Sequence, residues 1–240
     1  MRCAIVIPAR MGSTRFPGKP LVDLMGKPMV RWVFDAAVKA DVADRVLVAT
    51  PDQEIVEACR AFGAEAVLTS PDHASGTDRI AEVAQKLDAD VYVNVQGDEP
   101  LMPVETVRAC ARALLDDPAA ELSSVYGDCP PEEEDDPNVV KVVTDEAGYA
   151  LYFSRHAIPF PRNPRPIGLK KHIGIYGYRR DPLLAFSTWP VGKLEAAESL
   201  EQLRFLEKGY RMKMAFGRAT PLAVDTPDQA ERVRQILAGL

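Results

Sequence analysis

The first residues in the chain that could do chemistry follow a short apolar segment. Residues 8–20 read PARMGSTRFPGKP, and they include Arg10, Arg15 and Lys19 but no acidic residue. A glycine-containing loop after a buried strand can offer several backbone N–H groups to one phosphate, while arginine and lysine add full positive charges. The spacing matches neither a Walker A loop nor the G-x-G-x-x-G loop of dinucleotide-binding folds. An exposed basic turn is the alternative, but three cations without counter-charges favour an anion-binding loop.

Acidic residues directly follow two predicted strands that are far apart in the sequence. Asp98 and Glu99 come after the apolar run 91–95, and Asp225 comes after the run 222–224. Acids in such places are often solvated, and Asp225 alone would be interpreted as part of a turn. Beside a phosphate-binding loop, however, two acids have the chemistry that Mg²⁺ prefers, because this ion binds a few carboxylates together with phosphate oxygens and water. Glu99 is predicted to be structural.

A third candidate segment is built from small residues. Ser75, Gly76 and Thr77 precede a predicted helix. A turn of this kind exposes backbone groups that can bind the edge of a pyrimidine base while crowding a purine. The alternative is ordinary helix capping, with Ser75 as N-cap and Asp78 completing a capping box. The two interpretations are compatible, and His73 is expected to stabilise the loop.

The elements that would position these residues alternate between short apolar strands and helices. In the first half of the chain, strands are predicted at 3–7, 45–49, 65–68 and 91–95, and helices at 29–40, 51–61, 79–86 and 104–115. This α/β alternation predicts a largely parallel sheet with helices on both faces. In such sheets, ligands bind at the carboxyl ends of the strands, where the candidate residues lie.

The second half is richer in strands. Strands are predicted at 122–126, 173–178, 213–216 and 222–224, a hairpin at 139–143 and 149–153, an irregular segment at 159–166, and helices at 195–208 and from 227 onwards. The tetrapeptide Thr-Pro-Asp-Gln occurs at 50–53 and 226–229, and each copy is predicted to cap a helix with a capping box. No linker is evident, so residues 1–240 are predicted to form one domain, with 122–180 as a β-rich lobe.

Composition narrows the class of partner. The chain is 47% hydrophobic and carries a net charge of −6, which argues against nucleic-acid binding. The scattered cysteines (Cys3, Cys59, Cys110 and Cys129) are predicted to be free buried thiols in a reducing compartment. No apolar run approaches the roughly 18 residues that span a bilayer, and the run before Pro8 is short for a signal peptide. A cytoplasmic protein that binds a small anion, and neither nucleic acid nor membrane, is expected.

Several segments, taken together, resemble the 3-deoxy-D-manno-octulosonate cytidylyltransferase family. They occur in the family's order and cover nearly the whole chain: the loop at 8–20, DHASGTDR at 72–79, VNVQGDEP at 93–100, YALYFSR at 149–155, KHIGIYGYR at 171–179, ESLEQLR at 198–204 and VDTP at 224–227. One such segment could arise by chance, whereas the ordered set is highly specific.

The resemblance implies a Rossmann-like nucleotide-diphospho-sugar transferase fold and transfer of CMP from CTP to an acidic sugar for lipopolysaccharide synthesis. It implies a homodimer, Mg²⁺ bound by Asp98 and Asp225, and catalysis by these acids with Arg10 and Lys19. The residues implied in CTP binding are Pro8, Ala9, Arg10, Gly12, Ser13, Thr14, Arg15, Lys19, Ser75, Gly76 and Arg79. The implied sugar-binding residues are Gln96, Arg155, His172, Tyr176, Glu201 and Gln202.

Alternatives to the sugar-site roles and to the activity remain at this stage. Without the resemblance, His172 would be interpreted as an ordinary interface or core histidine, and Glu201 and Gln202 as water-facing helix residues. The segment 161–171 is shorter than in many family members, and Ala223 stands where the family usually has glycine. These departures keep open another acceptor, such as a sialic acid, a modified octulosonate or a phosphonate. A nucleotide sensor without catalytic activity is the rival from another class.

Overall fold

The computed structural model describes residues 1–163 and 167–239, so residues 164–166 of the predicted irregular segment and Leu240 lie outside the described part. Its strands are β1 (Cys3–Pro8), β2 (Asp23–Leu24), β3 (Lys27–Pro28), β4 (Arg45–Thr50), β5 (Glu65–Leu68), β6 (Val91–Asn94), β7 (Leu122–Asp128), β8 (Lys141–Thr144), β9 (Ala150–Ser154), β10 (Lys170–Arg179) and β11 (Met212–Phe216). Its helices are α1 (Met29–Lys39), α2 (Gln53–Ala61), α3 (Gly76–Lys86), α4 (Val104–Leu115), α5 (Arg180–Phe186), α6 (Lys193–Glu198), α7 (Gln202–Glu207) and α8 (Pro227–Ala238).

One sheet organises both halves of the chain. Its main path runs β11-β7-β10-β6-β1-β4-β5, and β8 and β9 extend it from β10. The β1–β4, β1–β6, β4–β5 and β7–β11 pairs are parallel, whereas β10 runs antiparallel to its neighbours. The predicted α/β class, with a mostly parallel sheet and a smaller β-rich part, is therefore confirmed.

Burial explains the apolar strand sequences. Cys3 to Ile7 of β1 and all four residues of β6 are buried, as expected for strands covered on both faces. One apolar cluster on the sheet includes Ile5, Val33 and Val107, and another includes Val6, Ile80 and Phe186. Helices therefore cover both faces, and the ends of β1 and β6 are left to form the site.

The two copies of Thr-Pro-Asp-Gln behave differently. At α8, Thr226 is the N-cap and forms the predicted capping box with Gln229. At α2 the predicted capping box is wrong, because Thr50 still pairs with β5 and the N-cap is Asp52. Strand pairing at Thr50 overrides the local capping preference.

Two other element predictions are wrong. The helix expected at 195–208 is two helices, α6 and α7, interrupted where Ser199 adopts a left-handed conformation (φ 52°). The interruption lets Glu195 and Arg204 form a buried two-point ion pair at 2.6 Å. The strand expected at 222–224 is irregular, because Val224 packs into a small apolar cluster with Leu24 and Met29 instead of joining the sheet.

Among the remaining features, some were predicted correctly and two elements were missed. The hairpin of β8 and β9 and the exact limits of α4 are as predicted, whereas α5 and the small β2–β3 hairpin were missed. The four cysteines are free and buried. Within the described ranges, no helix combines the length and the apolar character required to cross a membrane.

Candidate active site

The basic loop after β1 is held by its own backbone. The Met11 N–H donates to Asp52 Oδ2 at 2.7 Å, and the Gly18 N–H donates to the Met11 carbonyl at 3.0 Å. Gly18 has a φ of 74°, a conformation that favours glycine. The Arg10 side chain forms no hydrogen bond or ion pair with any described residue and is exposed. The loop backbone is therefore held in place, while the Arg10 guanidinium remains available to bind an anion.

This loop forms one side of a cleft of about 380 Å³ at the carboxyl ends of β1 and β6. The cleft brings together every residue predicted to bind CTP with Gln96, Asp98 and Asp225. Its lining consists of Pro8, Ala9, Arg10, Gly12, Ser13, Thr14, Arg15, Lys19, Pro20, His73, Ala74, Ser75, Gly76, Arg79, Gln96, Gly97, Asp98 and Asp225. Segments from opposite ends of the chain thus share one concave surface.

Lys19 joins the two acids of the cleft. Its Nζ lies 2.9 Å from Asp98 Oδ2 and 3.1 Å from Asp225 Oδ1. Arg15 adds a second cation, and its Nη2 lies 3.2 Å from Asp225 Oδ2. The Lys19 side chain is 13% exposed, whereas the acids are 35% and 37% exposed. Two carboxylates therefore converge on one cation position that opens into the cleft.

The backbone fixes the two acids relative to each other. The Val224 N–H donates to the Asp98 carbonyl at 2.9 Å, which attaches the chain before α8 to the end of β6. The Asp225 N–H donates to the Gln229 side chain at 2.7 Å, within the α8 cap. A Cβ at Gly97 would lie 2.5 Å from the Pro8 carbonyl oxygen, so only glycine permits the close approach of these segments.

The small-residue loop is organised by the start of α3. Ser75 caps the helix, and its hydroxyl oxygen accepts the Asp78 N–H in the predicted capping box. The buried guanidinium of Arg79 donates to Thr69 and to the Ser70 carbonyl, which secures the preceding chain. Burial, together with the nearby Arg10 charge, lowers the pKa of Arg79. Arg79 thus supports the loop while also lining the cleft.

His73 also supports this loop, as the sequence suggested. Its Nε2 lies 2.6 Å from Glu82 Oε2, which also accepts the Ser70 N–H at 2.8 Å. Although burial favours the neutral acid, hydrogen bonds from Lys86, Ser70 and His73 lower the pKa of Glu82 to about 2. A charged Glu82 therefore anchors both ends of the 70–73 turn.

A second pocket of about 430 Å³ lies beside the first. It contains His172, Tyr176 and Gln202, three of the residues predicted to bind the sugar. Its lining consists of Glu99, Asn138, Val139, Val140, Lys171, His172, Ile173, Gly174, Tyr176, Leu200, Gln202, Ala219, Thr220 and Ala223. Asp98 and Glu99 are consecutive, so one short segment contributes to both pockets.

The aromatic and amide groups of this pocket are held in fixed orientations. Ser124 Oγ donates to the Ile175 carbonyl at 2.8 Å and lies 2.8 Å from His172 Nε2, so it accepts from the neutral ring when Nε2 carries the hydrogen. The Tyr176 hydroxyl donates to Gln202 Oε1 at 3.3 Å, which leaves Gln202 Nε2 as a buried donor without a partner. The pocket is therefore lined by a histidine ring held by Ser124 and by a glutamine whose amide nitrogen is a buried donor.

The remaining predicted sugar-binding residues lie elsewhere. Gln96 lines the first cleft. Arg155 lines neither pocket, and its guanidinium donates to the carbonyls of Pro137, Glu198 and Ser199. Glu201 accepts a hydrogen bond from Thr77 of α3 instead of facing the second pocket, and burial raises its pKa. The structure thus does not bring Arg155 and Glu201 to the pocket that holds the other three.

Sequence reasoning missed several residues of the second pocket. Glu99, assigned a structural role, lines the pocket, and burial with the nearby Asp98 charge raises its pKa to about 8. Lys171 and Thr220 also line the pocket and were not considered. The signal for Glu99 was present in its position beside Asp98 after a buried strand, whereas Thr220 lies in an irregular segment without any local pattern.

His172 is expected to make stability depend on pH. Burial lowers its folded-state pKa to about 3, whereas the unfolded chain titrates near its ordinary value of about 6.5. The folded state therefore excludes a proton that the unfolded state binds. The contribution of His172 to the free energy of unfolding is complete above about pH 6.5. It is lost as pH falls towards the folded-state pKa, by up to about 1.4 kcal/mol per pH unit.

Urea denaturation between about pH 5 and 7.5 tests this expectation. The free energy of unfolding should depend less on pH in His172→Gln than in the wild type. The control, His156→Gln, alters an exposed histidine and should show the wild-type pH dependence. Equal slopes in the wild type and His172→Gln would contradict the assignment.

A mostly parallel sheet, a basic loop after β1 and two acids that share the Lys19 ammonium in a cleft at the carboxyl ends of β1 and β6 are the features of a nucleotidyltransferase. A protein-family model described as cytidylyltransferase matches residues 4–214. A 3-deoxy-manno-octulosonate cytidylyltransferase of Syntrophotalea carbinolica is 46% identical, with 100% of each chain covered. One of Escherichia coli is 44% identical, covering 99% of this chain and 96% of its own.

A solved structure indicates the same family. The structure described as CMP:2-keto-3-deoxy-manno-octonic acid synthetase complexed with CTP superposes with a TM-score of 0.96 at 44% identity, covering 100% of this chain and 99% of the other. The chain belongs to the 3-deoxy-manno-octulosonate cytidylyltransferase family.

Proposed function

We propose that this enzyme transfers the cytidylyl group of CTP to the anomeric hydroxyl of 3-deoxy-manno-octulosonate. The acceptor oxygen forms a bond to the α-phosphorus, the bond from that phosphorus to the bridging oxygen breaks, and pyrophosphate leaves with that electron pair. The hydroxyl proton is released to solvent. The observation that carries the proposal is the pair of pockets to which Asp98 and Glu99 contribute in turn, one with cations and paired acids and one that combines Lys171 and Glu99 with uncharged polar side chains.

The first cleft is assigned to CTP. The uncompensated charge of Arg10 and the ammonium of Lys19 would bind the triphosphate and offset the charge that grows on the leaving pyrophosphate. The capped turn at Ser75 and Gly76 would receive the cytosine. No covalent intermediate is required, so positioning and charge neutralisation account for catalysis.

Asp98 and Asp225 are proposed to hold Mg²⁺. The donor set fits the ion, since the two carboxylates already converge on one cation, the Lys19 ammonium. Among the described residues, no group of three or more His, Cys, Asp or Glu side chains could hold a metal ion, so phosphate oxygens and water would supply the remaining ligands at Asp98 and Asp225. When bound, the ion would supply Lewis-acid polarisation of the α-phosphate. Lys19 would then turn its ammonium towards the phosphates.

The second pocket is assigned to the acceptor. His172, Tyr176 and Gln202 would contact its hydroxyl groups, and Lys171 supplies a cation at the rim, where its Nζ pairs with Glu133 at 2.6 Å. The proposed roles of Gln96, Arg155 and Glu201 are different. Gln96 would meet the acceptor where it enters the first cleft, whereas Arg155 and Glu201 would shape the site through the chain around Glu198 and the α3 turn.

Release of pyrophosphate tests the activity directly. The wild type, with CTP and Mg²⁺, should release pyrophosphate on addition of 3-deoxy-manno-octulosonate and should not do so with the acceptor omitted. A sialic acid, a modified octulosonate and a phosphonate, tested in parallel, identify the preferred acceptor. Release with none of these acids would contradict the enzymatic assignment and favour a nucleotide sensor.

A homodimer in the cytoplasm is also proposed. Leu151, Phe160 and Ile167 are 62%, 83% and 64% exposed in the β-rich lobe, an apolar composition that suits a contact between two copies. The free buried cysteines suit a reducing compartment. Light scattering at micromolar concentration should give the mass of a dimer, and a monomeric mass would remove this part of the proposal.

A further inference from the structure

Three buried side-chain atoms of residues that line the second pocket have no hydrogen-bond partner among residues 1–163 and 167–239. They are Glu99 Oε2, Gln202 Nε2 and Thr220 Oγ1. A buried polar group without a partner costs about 1–3 kcal/mol, so native structures contain few of them. Their concentration in one pocket indicates a surface completed by a ligand with several hydroxyl groups, because each hydroxyl both donates and accepts.

The positions of Glu99 and Thr220 in the chain relate them to the reacting phosphate. Glu99 directly follows Asp98, and Thr220 precedes Asp225 in the irregular segment between β11 and α8. The hydrogen bond from the Val224 N–H to the Asp98 carbonyl joins these two segments. The joined segments therefore form a wall between the pockets, with the paired acids on the CTP side and Glu99 and Thr220 on the other.

We propose that Glu99 and Thr220 position the hydroxyl groups of the acceptor against this wall and so determine which acid the enzyme uses. The inference rests on the proposed function and extends the acceptor site beyond His172, Tyr176 and Gln202. A ligand held by the wall is fixed relative to Asp98 and Asp225, and hence to the α-phosphate that would bind beside these acids. A misplaced acceptor oxygen would lower the rate of transfer, since in-line attack requires close alignment.

The chemistry of the wall differs from that of the rest of the pocket. Lys171 is the cation of the pocket, and Glu99 is its carboxyl group. Thr220 offers a hydroxyl beside the methyl group of Ala223. An acceptor with its carboxylate towards Lys171 and its polyhydroxyl chain towards Glu99 and Thr220 would match both ends of the pocket.

The test measures KM for each substrate separately in steady-state assays of pyrophosphate release from CTP. Thr220→Val keeps the shape of the side chain and removes the hydroxyl, and it should raise KM for 3-deoxy-manno-octulosonate about three- to tenfold. Glu99→Gln keeps the shape and replaces the carboxyl group with an amide, and it should lower kcat/KM for the acceptor about tenfold or more. KM for CTP should change less than about twofold in both variants, because CTP lies on the other side of the wall.

Two controls separate positioning from structural damage. Thr220→Ser keeps the hydroxyl that Thr220→Val removes, so its KM for the acceptor should be close to that of the wild type. Thr188→Val removes an exposed hydroxyl that contacts only the Ala185 carbonyl, so its kinetics should be unchanged. Monodeoxy analogues of the acceptor each lack one hydroxyl group. For the analogue that lacks the hydroxyl bound by Thr220, KM should be the same in Thr220→Val as in the wild type.

The outcomes distinguish the inference from the function on which it rests. A wild-type enzyme that releases no pyrophosphate with this acceptor overturns the proposed function. An active wild type whose acceptor KM and kcat are unchanged in both Thr220→Val and Glu99→Gln overturns only the inference. Equal increases in KM for CTP and acceptor also overturn it, because they indicate a general structural effect.

Discussion

The Asp98→Asn enzyme is expected to have a kcat/KM lower than that of the wild type by about 100- to 1,000-fold or more, which corresponds to about 2.7–4 kcal/mol. The substitution removes one of the two carboxylates assigned to Mg²⁺ while preserving shape. The fold should survive, because the contact that joins Asp98 to the α8 segment uses its backbone carbonyl. Steady-state pyrophosphate release and the melting temperature together measure both effects.

The matched control is Asp35→Asn. Asp35 is paired with Lys27 outside the cleft, and its side chain is 32% exposed, close to the 35% of Asp98. Its kinetics should equal those of the wild type. A folded Asp98→Asn enzyme with activity within about threefold of the wild type would remove Asp98 from the proposed machinery.

Lys19→Met is expected to affect activity and metal binding in opposite directions. Activity should fall by about 100-fold or more, because a cation that would stabilise the leaving pyrophosphate is lost. Binding of Mn²⁺ to the free enzyme should instead become about tenfold tighter, since the ammonium that lies between Asp98 and Asp225 no longer competes. Electron paramagnetic resonance of Mn²⁺, titrated without nucleotide, measures the second effect.

Lys27→Met provides the comparison for Lys19→Met. It removes an ammonium paired with the single carboxylate of Asp35 at 3.2 Å. Neither activity nor Mn²⁺ binding should change in this variant. Unchanged Mn²⁺ binding in Lys19→Met would show that Lys19 and the metal do not share the position between the acids.

Local patterns predicted well which residues come together in the first cleft. The loop at 8–20 and the turn at 75–79 are continuous segments that follow or begin regular elements, so their residues reach the cleft together. The residues predicted to bind the sugar do not all share one pocket, because they come from separate elements. Arg155 and Glu201 bind neighbouring chain segments, whereas the unexpected Thr220 lies in an irregular segment.

Where the same local signal met different neighbours, tertiary structure decided the outcome. The Thr-Pro-Asp-Gln tetrapeptide caps α8 but not α2, because the first copy begins inside a paired strand. Helical spacing at 195–208 predicted one helix, yet the buried pair of Glu195 and Arg204 accompanies a break at Ser199. Periodicity reports contacts within a turn of helix and carries no information about such partners.

The sequence by itself determined the alternation of apolar strands and helices, the caps at Ser75 and Thr226, and the chemical types available at the strand ends. These depend on burial and on hydrogen bonds between residues close in the chain. Only the tertiary structure decided that Lys19 meets both Asp98 and Asp225, and that Glu99 and Thr220 share a wall. Those contacts join distant segments, and their geometry follows from sheet order and packing.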